Sequence, residues 1–354
     1  MPPVIAPAVP AIKLGGQAAP ELAAGLLRLQ VRESQDGLSS CEATFGNWAP
    51  GSAEGGFLYF GRDKLDFGKE LAVVQDEDPL FRGRITGLEG SFPDGAPPEV
   101  TVLAEDRFQD LRMTRRTRSF TQQTDEQVIR SIAQDHGLTA QLDISGPTHV
   151  VLAQLNQSDL AFVRERARAL DAELWMDDRT LHVATHSRRR GPRAHLGLGR
   201  ELMSFNVLAD LASQRSSVVV TGWDVAAKRA LSERADDQSL GGELGSADSG
   251  ASVLRTALAE RKETIAHAVP FASAEARAEA EAVFRRGARR FVRGRGTARV
   301  VDAKLRVGAT VRIDGVGKLF SGDYYVAETA YRFDRRHGMR CDFVVERPGL
   351  GRPS

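Results

Sequence analysis

From Leu26 the chain alternates, with Leu27, Leu29 and Val31 on one side and Arg28, Gln30 and Arg32 on the other. That is the period of a half-buried strand. Cys41, Ala43 and Phe45 continue it, followed by Ala72 and Val74, then Phe81, Gly83 and Ile85. After the turn Pro93–Pro98 come Val100, Val102 and Ala104. The first hundred residues therefore read as an antiparallel β unit punctuated by Gly/Pro turns.

Near residue 119 the period becomes helical. Thr124, with Gln127 three positions on, predicts a capping box. Val128, Ile129 and Ile132 form an apolar stripe, and Gly137-Leu138 predicts a Schellman stop. Ser158-Asp159 opens a second helix whose face is Leu160, Val163, Ala167 and Leu170. Two strands follow, turned at Asp177-Asp178-Arg179, which makes residues 119–187 a small α+β insert.

Strand character returns at Arg215–Leu231, and the Gly/Ser-rich stretch 239–252 reads as a mobile loop. A helix is expected from an N-cap at Ser273, with Ala276, Ala280, Phe284, Ala288 and Phe291 on one face and an end at Gly294 and Gly296. The last fifty residues carry the clearest alternation: Val311 and Ile313, then Tyr325, Ala327, Thr329, Tyr331 and Phe333, then Met339, Cys341, Phe343 and Val345. One face of these strands is wet.

A short string recurs. Leu80-Phe81-Arg82-Gly83 and Leu319-Phe320-Ser321-Gly322 share LF.G, and their flanks align without gaps, Leu71–Gly83 over Thr310–Gly322. Ala72 then lies over Val311 and Val74 over Ile313. Each copy continues into a strand, a Gly turn and another strand, so one β-meander is read as used twice. On that reading Phe81 superposes on Phe320 and Gly83 on Gly322, with the aromatic closing a small barrel and the glycine admitting a neighbouring backbone.

With 354 residues, two or three domains are expected. Lys+Arg 48 against Asp+Glu 47 leaves a net charge of +1, which disfavours a dedicated nucleic-acid binder or a membrane-surface protein. The Pro-broken N-terminus has neither the basic start nor the apolar run of a signal peptide, and nothing approaches a membrane span. Cys41 and Cys341 read as buried free thiols.

No catalytic, cofactor or metal residues are expected from the sequence. Gly315-Val316-Gly317-Lys318 lacks the outer positions of a phosphate loop. His182 and His186 have no accompanying ligand set. Asp177 and Asp178 beside Trp175 read as turn residues rather than glycosidase carboxylates, and Asn156-Gln157-Ser158 as a cap region. The arginines at 112–118, 188–193 and 285–299 read mostly as solvated faces, the lesser alternative being that they meet acidic rims of partner subunits or a passing nucleic acid chain.

The stretches Ser217–Leu231, Thr124–Val183 and Gly308–Gly349 resemble the phage late control D proteins. These are the tail or baseplate hubs of contractile phage tails and related injection systems, similar to the N-terminal part of VgrG-type spike proteins. Tyr331 stands where such proteins often carry a histidine. The resemblance implies an α+β chain with two similar antiparallel tube-like β-barrels, an insert between them and a helix-containing insertion in the second. The corresponding ranges are 1–19 (flexible Pro-rich N-terminus), 20–118 (first barrel), 119–187 (insert), 188–224 with 297–348 (second barrel), 225–296 (inserted segment) and 349–354 (tail).

It further implies a structural, non-enzymatic homotrimer joining a hexameric tail tube protein to a trimeric spike protein, among other baseplate proteins. The chain has no octapeptide repeats before its end at Ser354, so the spike is expected to be a separate polypeptide. The protein is expected to be cytoplasmic at synthesis and then part of a virion or injection particle. It is expected to have no membrane binding of its own and no sequence-specific nucleic-acid binding. The alternatives are a tail-tip cell-wall hydrolase and a free-standing carbohydrate- or protein-binding β protein.

Overall fold

The computed structural model describes residues 9–49, 56–189, 191–225, 227–244, 247–267, 270–299 and 305–351. The first half of the sheet comprises β1 (Ala11–Leu14), β2 (Gln17–Ala18), a short helix α1 (Pro20–Gly25), β3 (Leu26–Ser34), β4 (Ser40–Gly46), β5 (Glu70–Gln75), β6 (Asp78–Ser91) and β7 (Glu99–Glu105). The insert follows as α2 (Phe108–Arg112), β8 (Arg115–Thr124), α3 (Asp125–Asp135), β9 (Thr139–Asp143), β10 (Thr148–Ser158), α4 (Asp159–Ala169), β11 (Ala172–Asp177) and β12 (Thr180–Thr185).

β13 (Arg193–Gly197) and β14 (Leu202–Ala209) begin the second half, which an excursion interrupts. The excursion holds β15 (Ser217–Asp224), β16 (Arg229–Ala235), a 3-10 stretch (Asp237–Glu243), β17 (Asp248–Ser249), α5 (Gly250–Leu258), β18 (Lys262–Ile265) and α6 (Ser273–Arg289). The second half resumes with β19 (Val292–Arg299), β20 (Thr310–Asp314), β21 (Gly322–Asp334), β22 (Gly338–Arg347) and β23 (Gly349–Leu350).

Two closed barrels were expected; the strand pairing instead makes one continuous 13-stranded sheet in the order β14-β19-β22-β21-β3-β4-β7-β6-β5-β1-β2, with β20 on β21 and β13 on β20. The reason lies at the centre, where β21 and β3 pair with each other from Glu328↔Ser34 to Asp334↔Arg28. Joining there satisfies two edges that would otherwise be open. Both halves feed a single apolar core in which Phe45, Leu71, Val102, Tyr331 and Val345 all take part.

The halves repeat each other. β3-β4-β7-β6-β5 and β14-β19-β22-β21-β20 are the same strand order, each set visited in the same chain sequence. Their bulges match as well. Between β3 and β4 the ladder slips from Leu26 to Arg28, and between β14 and β19 from Leu202 to Ser204. Between β6 and β7 it slips from Ile85 to Gly87, and between β21 and β22 from Val326 to Glu328.

These bulges explain where simple alternation misplaces side chains, because one extra residue flips everything beyond it to the other face. Leu26, rather than Leu27, enters the core with Leu29 and Val31. On β21 the core takes Tyr324 and Val326 before the bulge and Thr329, Tyr331 and Phe333 after it, so Tyr325 points toward the insert.

The N-terminal segment expected to be floppy is ordered from Ala11, where β1 pairs with β5 and Ile12 is buried; residues 1–8, like 352–354, lie outside the described residues. Gly349–Leu350, read as tail, pairs with β17.

The insert packs around its own core of Val128, Ile132, Leu160, Phe162, Val183 and their neighbours, and Phe108 and Leu111 of α2 belong to it. Its caps follow the sequence. Thr124 accepts from Gln127 N–H while the Gln127 side chain accepts from Thr124 N–H. Gly137 at φ +63° closes α3, with Leu138 N–H donating to the Ala133 carbonyl. Ser158 accepts from Ala161 N–H. Leu170 sits at the C-cap of α4, half-buried, rather than on its buried face.

The excursion has a third core, built by β15, β16 and α6 around Val218, Val220, Ala280 and Phe284. Thus β15, placed with the second barrel by its sequence, pairs with β16 and β18 instead. The stretch 239–252 contains part of the 3-10 segment, β17 and the start of α5; residues 245 and 246 lie outside the described residues. The N-cap of α6 is Ala272, and Gly294 and Gly296 lie inside β19, where a Cβ would meet the rings of Phe205 and Phe343.

Candidate assembly edges and a buried charge network

The first LF.G copy lies inside strand β6, where Leu80 and Phe81 are buried and an added Cβ on Gly83 would lie 2.3 Å from the Glu105 carbonyl oxygen. The second straddles the β20–β21 turn, with Leu319 39% exposed, Phe320 half-buried and Gly322 at φ +134°. The ladders show that the two are not equivalent. Matching the bulges sets Ile85 on Val326, which puts Gly83 on Tyr324 and Phe81 on Gly322. The hairpins agree, since Leu71 pairs with Gly83 and Val73 with Phe81, while Val311 pairs with Tyr324 and Ile313 with Gly322. The ungapped alignment was one residue off on β5, choosing Ala72 and Val74 where Leu71 and Val73 occupy the core. The similar letters mark a shared meander, but out of step.

The motif-like strings resolve into structure. Gly315 (φ +85°) and Gly317 (φ +82°) form the β20–β21 turn. Asp178 adopts φ +51° at the β11–β12 hairpin tip and lies 3.6 Å from Arg82 on β6, so the tip rests on the sheet. His182 stacks on Trp175 at 4.9 Å and the Arg189 guanidinium lies 4.4 Å over the same indole, so this aromatic ring is already used. Among the described residues no three His, Cys, Asp or Glu side chains cluster as a metal site. No helix among them is long and apolar enough to cross a membrane.

The arginines depart most from expectation. Several are buried ties between lobes. Arg289 of α6 is 4% exposed and forks onto Asp171 of the insert at 2.6 Å on both oxygens, while also reaching Glu243 at 2.7 and 2.8 Å. Burial alone would lower the Arg289 pKa, yet the two carboxylates raise it above its ordinary value. Arg189 and His186 bind Glu173 at 2.9 and 2.8 Å, and the Tyr325 hydroxyl donates to the same carboxylate, tying insert to sheet. Burial pushes Glu173 up, but the His186 and Arg189 contacts outweigh it and hold it at about 2.

A third tie joins insert to excursion. His149 on β10 donates from Nε2 to Asp125 at 2.8 Å and from Nδ1 to Glu275 of α6 at 2.7 Å, and Arg166 also holds Asp125 at 2.5 Å. Two carboxylates around one imidazole raise His149 to about 9. Within the insert, Asp159 accepts from Arg116, Arg118, His136 and Gln154. Arg306 pairs with Glu33 and donates to the Pro79 carbonyl at 2.6 Å, linking the second half to β3 and β6.

A concavity of about 770 Å³ lies on the polar face where the halves meet, lined by Arg32, Ser204, Arg295, Thr297, Arg332 and Asp342 among others. Of its lining carboxylates, Asp342 pairs with Arg332 at 3.0 Å and Glu328 with Arg293 at 2.8 Å. Asp342 also accepts from Thr297 at 2.8 Å.

Within the two repeated five-strand sets, two strand edges remain open among the described residues. β14 pairs with β19 alone, apart from a single bridge at Leu202. β6 is covered by β5 only as far as Arg84, and from Gly87 to Ser91 it pairs with β7 alone. Exposed apolar residues sit along both: Met203 and Leu208 on β14, and Phe92 just beyond β6, 65% exposed.

A family model described as the Alg8 N-terminal domain matches residues 65–333, a span from the first half through the insert and excursion into β21. The chain belongs to that family. No curated protein sequence matches it. Solved structures share its fold. A 43 kDa tail protein of prophage MuSo2 from Shewanella oneidensis is similar with TM-score 0.72 and 13% identity, covering 96% of this chain and 98% of that one. A tail protein from Neisseria meningitidis gives 0.69 at 13% identity, covering 97% of each. An E. coli type VI secretion component, described as structurally similar to T4 bacteriophage tail proteins, gives 0.56 at 12% identity over 93% of this chain and 76% of that one. This member of the family thus has the fold of tail proteins over nearly its whole length, carried by a common architecture and not by sequence identity.

Proposed function

We propose that the chain is a structural hub of a phage tail or tail-like contractile injection system, of the late control D kind. In this reading it is a non-enzymatic homotrimeric adaptor between a hexameric tail tube and a separate trimeric spike. The observation that carries the proposal is the repeated five-strand order with matched bulges. A trimer of single-unit subunits offers three equivalent surfaces to a six-fold tube, whereas two like halves per chain offer six. The fold shared with tail proteins and with a type VI secretion component supports the same reading. Trp175, the ring beside Asp177 and Asp178, is already engaged by His182 and Arg189 and so does not support a sugar-stacking site at that hairpin.

Native mass measurement of the purified chain, alone and mixed with the tube and spike proteins encoded beside it, tests this. Trimers that bind both partners are expected. A monomer that ignores both and cleaves peptidoglycan would replace the hub with the hydrolase.

A further inference from the structure

The repeat leaves one junction unused. Inside the chain the distal part of β21 pairs with β3 and joins the halves. Matching bulges places β6 on β21, with Ile85 on Val326, and β14 on β3, with Leu202 on Leu26. The counterpart of the β21·β3 junction is therefore a β6·β14 junction. Within one chain those strands lie toward opposite ends of the sheet, and both have open edges.

Resting on the ring-forming reading above, we propose that β14 of one copy pairs antiparallel with the distal part of β6 in a second copy. The register is that of the internal junction. Phe333↔Leu29 becomes Phe92 opposite Phe205, and Tyr331↔Val31 becomes Gly90 opposite Val207. Ala330↔Arg32 becomes Glu89 opposite Leu208, and Thr329↔Glu33 becomes Leu88 opposite Ala209.

Exposure supports this assignment. Phe333 is 2% exposed at the internal junction, whereas Phe92, in the corresponding place, is 65% exposed. Phe205 and Val207 are half-buried where their counterparts Leu29 and Val31 of β3 are buried. Gly90 replaces the bulk of Tyr331, and the Phe60 and Phe92 rings fill that space, 3.1 and 3.2 Å from where a Gly90 Cβ would sit, while Phe92 keeps its outer side exposed. A second copy supplies both the missing ladder and the cover for Phe92. Because different edges meet, the contact is heterologous and closes only as a ring in which first and second halves alternate.

Cross-linking tests the register. Glu89→Cys and Leu208→Cys combined in one chain place thiols within disulfide reach across the interface. The native Cys41 and Cys341, 2% and 1% exposed, stay silent. Oxidation of the assembled protein should give covalent oligomers, while Glu89→Cys with Ser204→Cys should not. An oligomer that fails to cross-link at 89/208, or links equally at 89/204, overturns the pairing but leaves the hub reading intact. A chain that stays monomeric across a concentration series overturns both. Should the double variant fold poorly, Phe92→Asp replaces it: a native far-UV spectrum with loss of the oligomer is expected, and a retained oligomer overturns the pairing.

Discussion

At the residue scale the decisive groups are buried charges. His149 carries a proton because Asp125 and Glu275 face it, with Arg166 beside Asp125. Its folded pKa of about 9 exceeds the ordinary histidine value of 6.5, so its stabilisation is fully present below about pH 6.5 and is lost as pH rises through 9. Replacing it with Gln should cost on the order of 2–3 kcal/mol near pH 6 and almost nothing above about pH 9.5. Urea denaturation at both pH values measures this, and a difference that does not change with pH would mean that His149 is neutral in the fold. The cysteines have no comparable role. Cys41, Val31, Tyr331 and Cys341 form one row across four strands, which sets the thiols about 14 Å apart, beyond disulfide reach.

At the element scale the helices of the insert are set by caps written in the sequence, and their packing by residues that are not. Ser158 caps α4 and Thr124 caps α3, as read from spacing. Phe162, stacked on Phe120 at 5.9 Å, lies off the stripe of Leu160, Val163 and Ala167, so spacing alone does not announce it. Ser158→Ala should cost about 1 kcal/mol. Arg289→Ala should cost about 3–5 kcal/mol, because it leaves Asp171 and Glu243 buried without their counter-ion. Thermal melts of the two variants rank them, and equal losses would show that the Arg289 tie adds nothing beyond surface pairing. That tie could not be read from the sequence, since Arg289 and its two partners, Asp171 and Glu243, lie on three separate stretches of the chain.

At the scale of the whole molecule, the excursion leaves and re-enters the sheet at one point. Asp210 N–H donates to the Phe291 carbonyl at 3.0 Å, and Ala209 pairs with Val292. Replacing residues 211–290 by a short Asn-Gly-containing turn should therefore leave β14 and β19 as a hairpin and the sheet folded. Stability should be lower, because Asp171 and His149 lose partners. Circular dichroism and a cooperative melt check this, and an unfolded product would show that the third core is needed for the first.

The sequence by itself determined what depends on near neighbours: strand alternation, helix stripes, the Thr124 and Ser158 caps, the Gly137 stop, the Asp177-Asp178 turn and the recurrence of one meander. The tertiary structure decided what depends on distant partners. Bulges at Arg28 and Glu328 reset which face of a strand is buried, and nothing in the local letters announces them. The preference of β21 for β3 made one sheet of two expected barrels, because an open edge takes whichever partner the fold brings closest. Burial turned Arg189 and Arg289 from apparent surface charges into ties between lobes, since a guanidinium taken from water needs carboxylates that only the assembled elements supply.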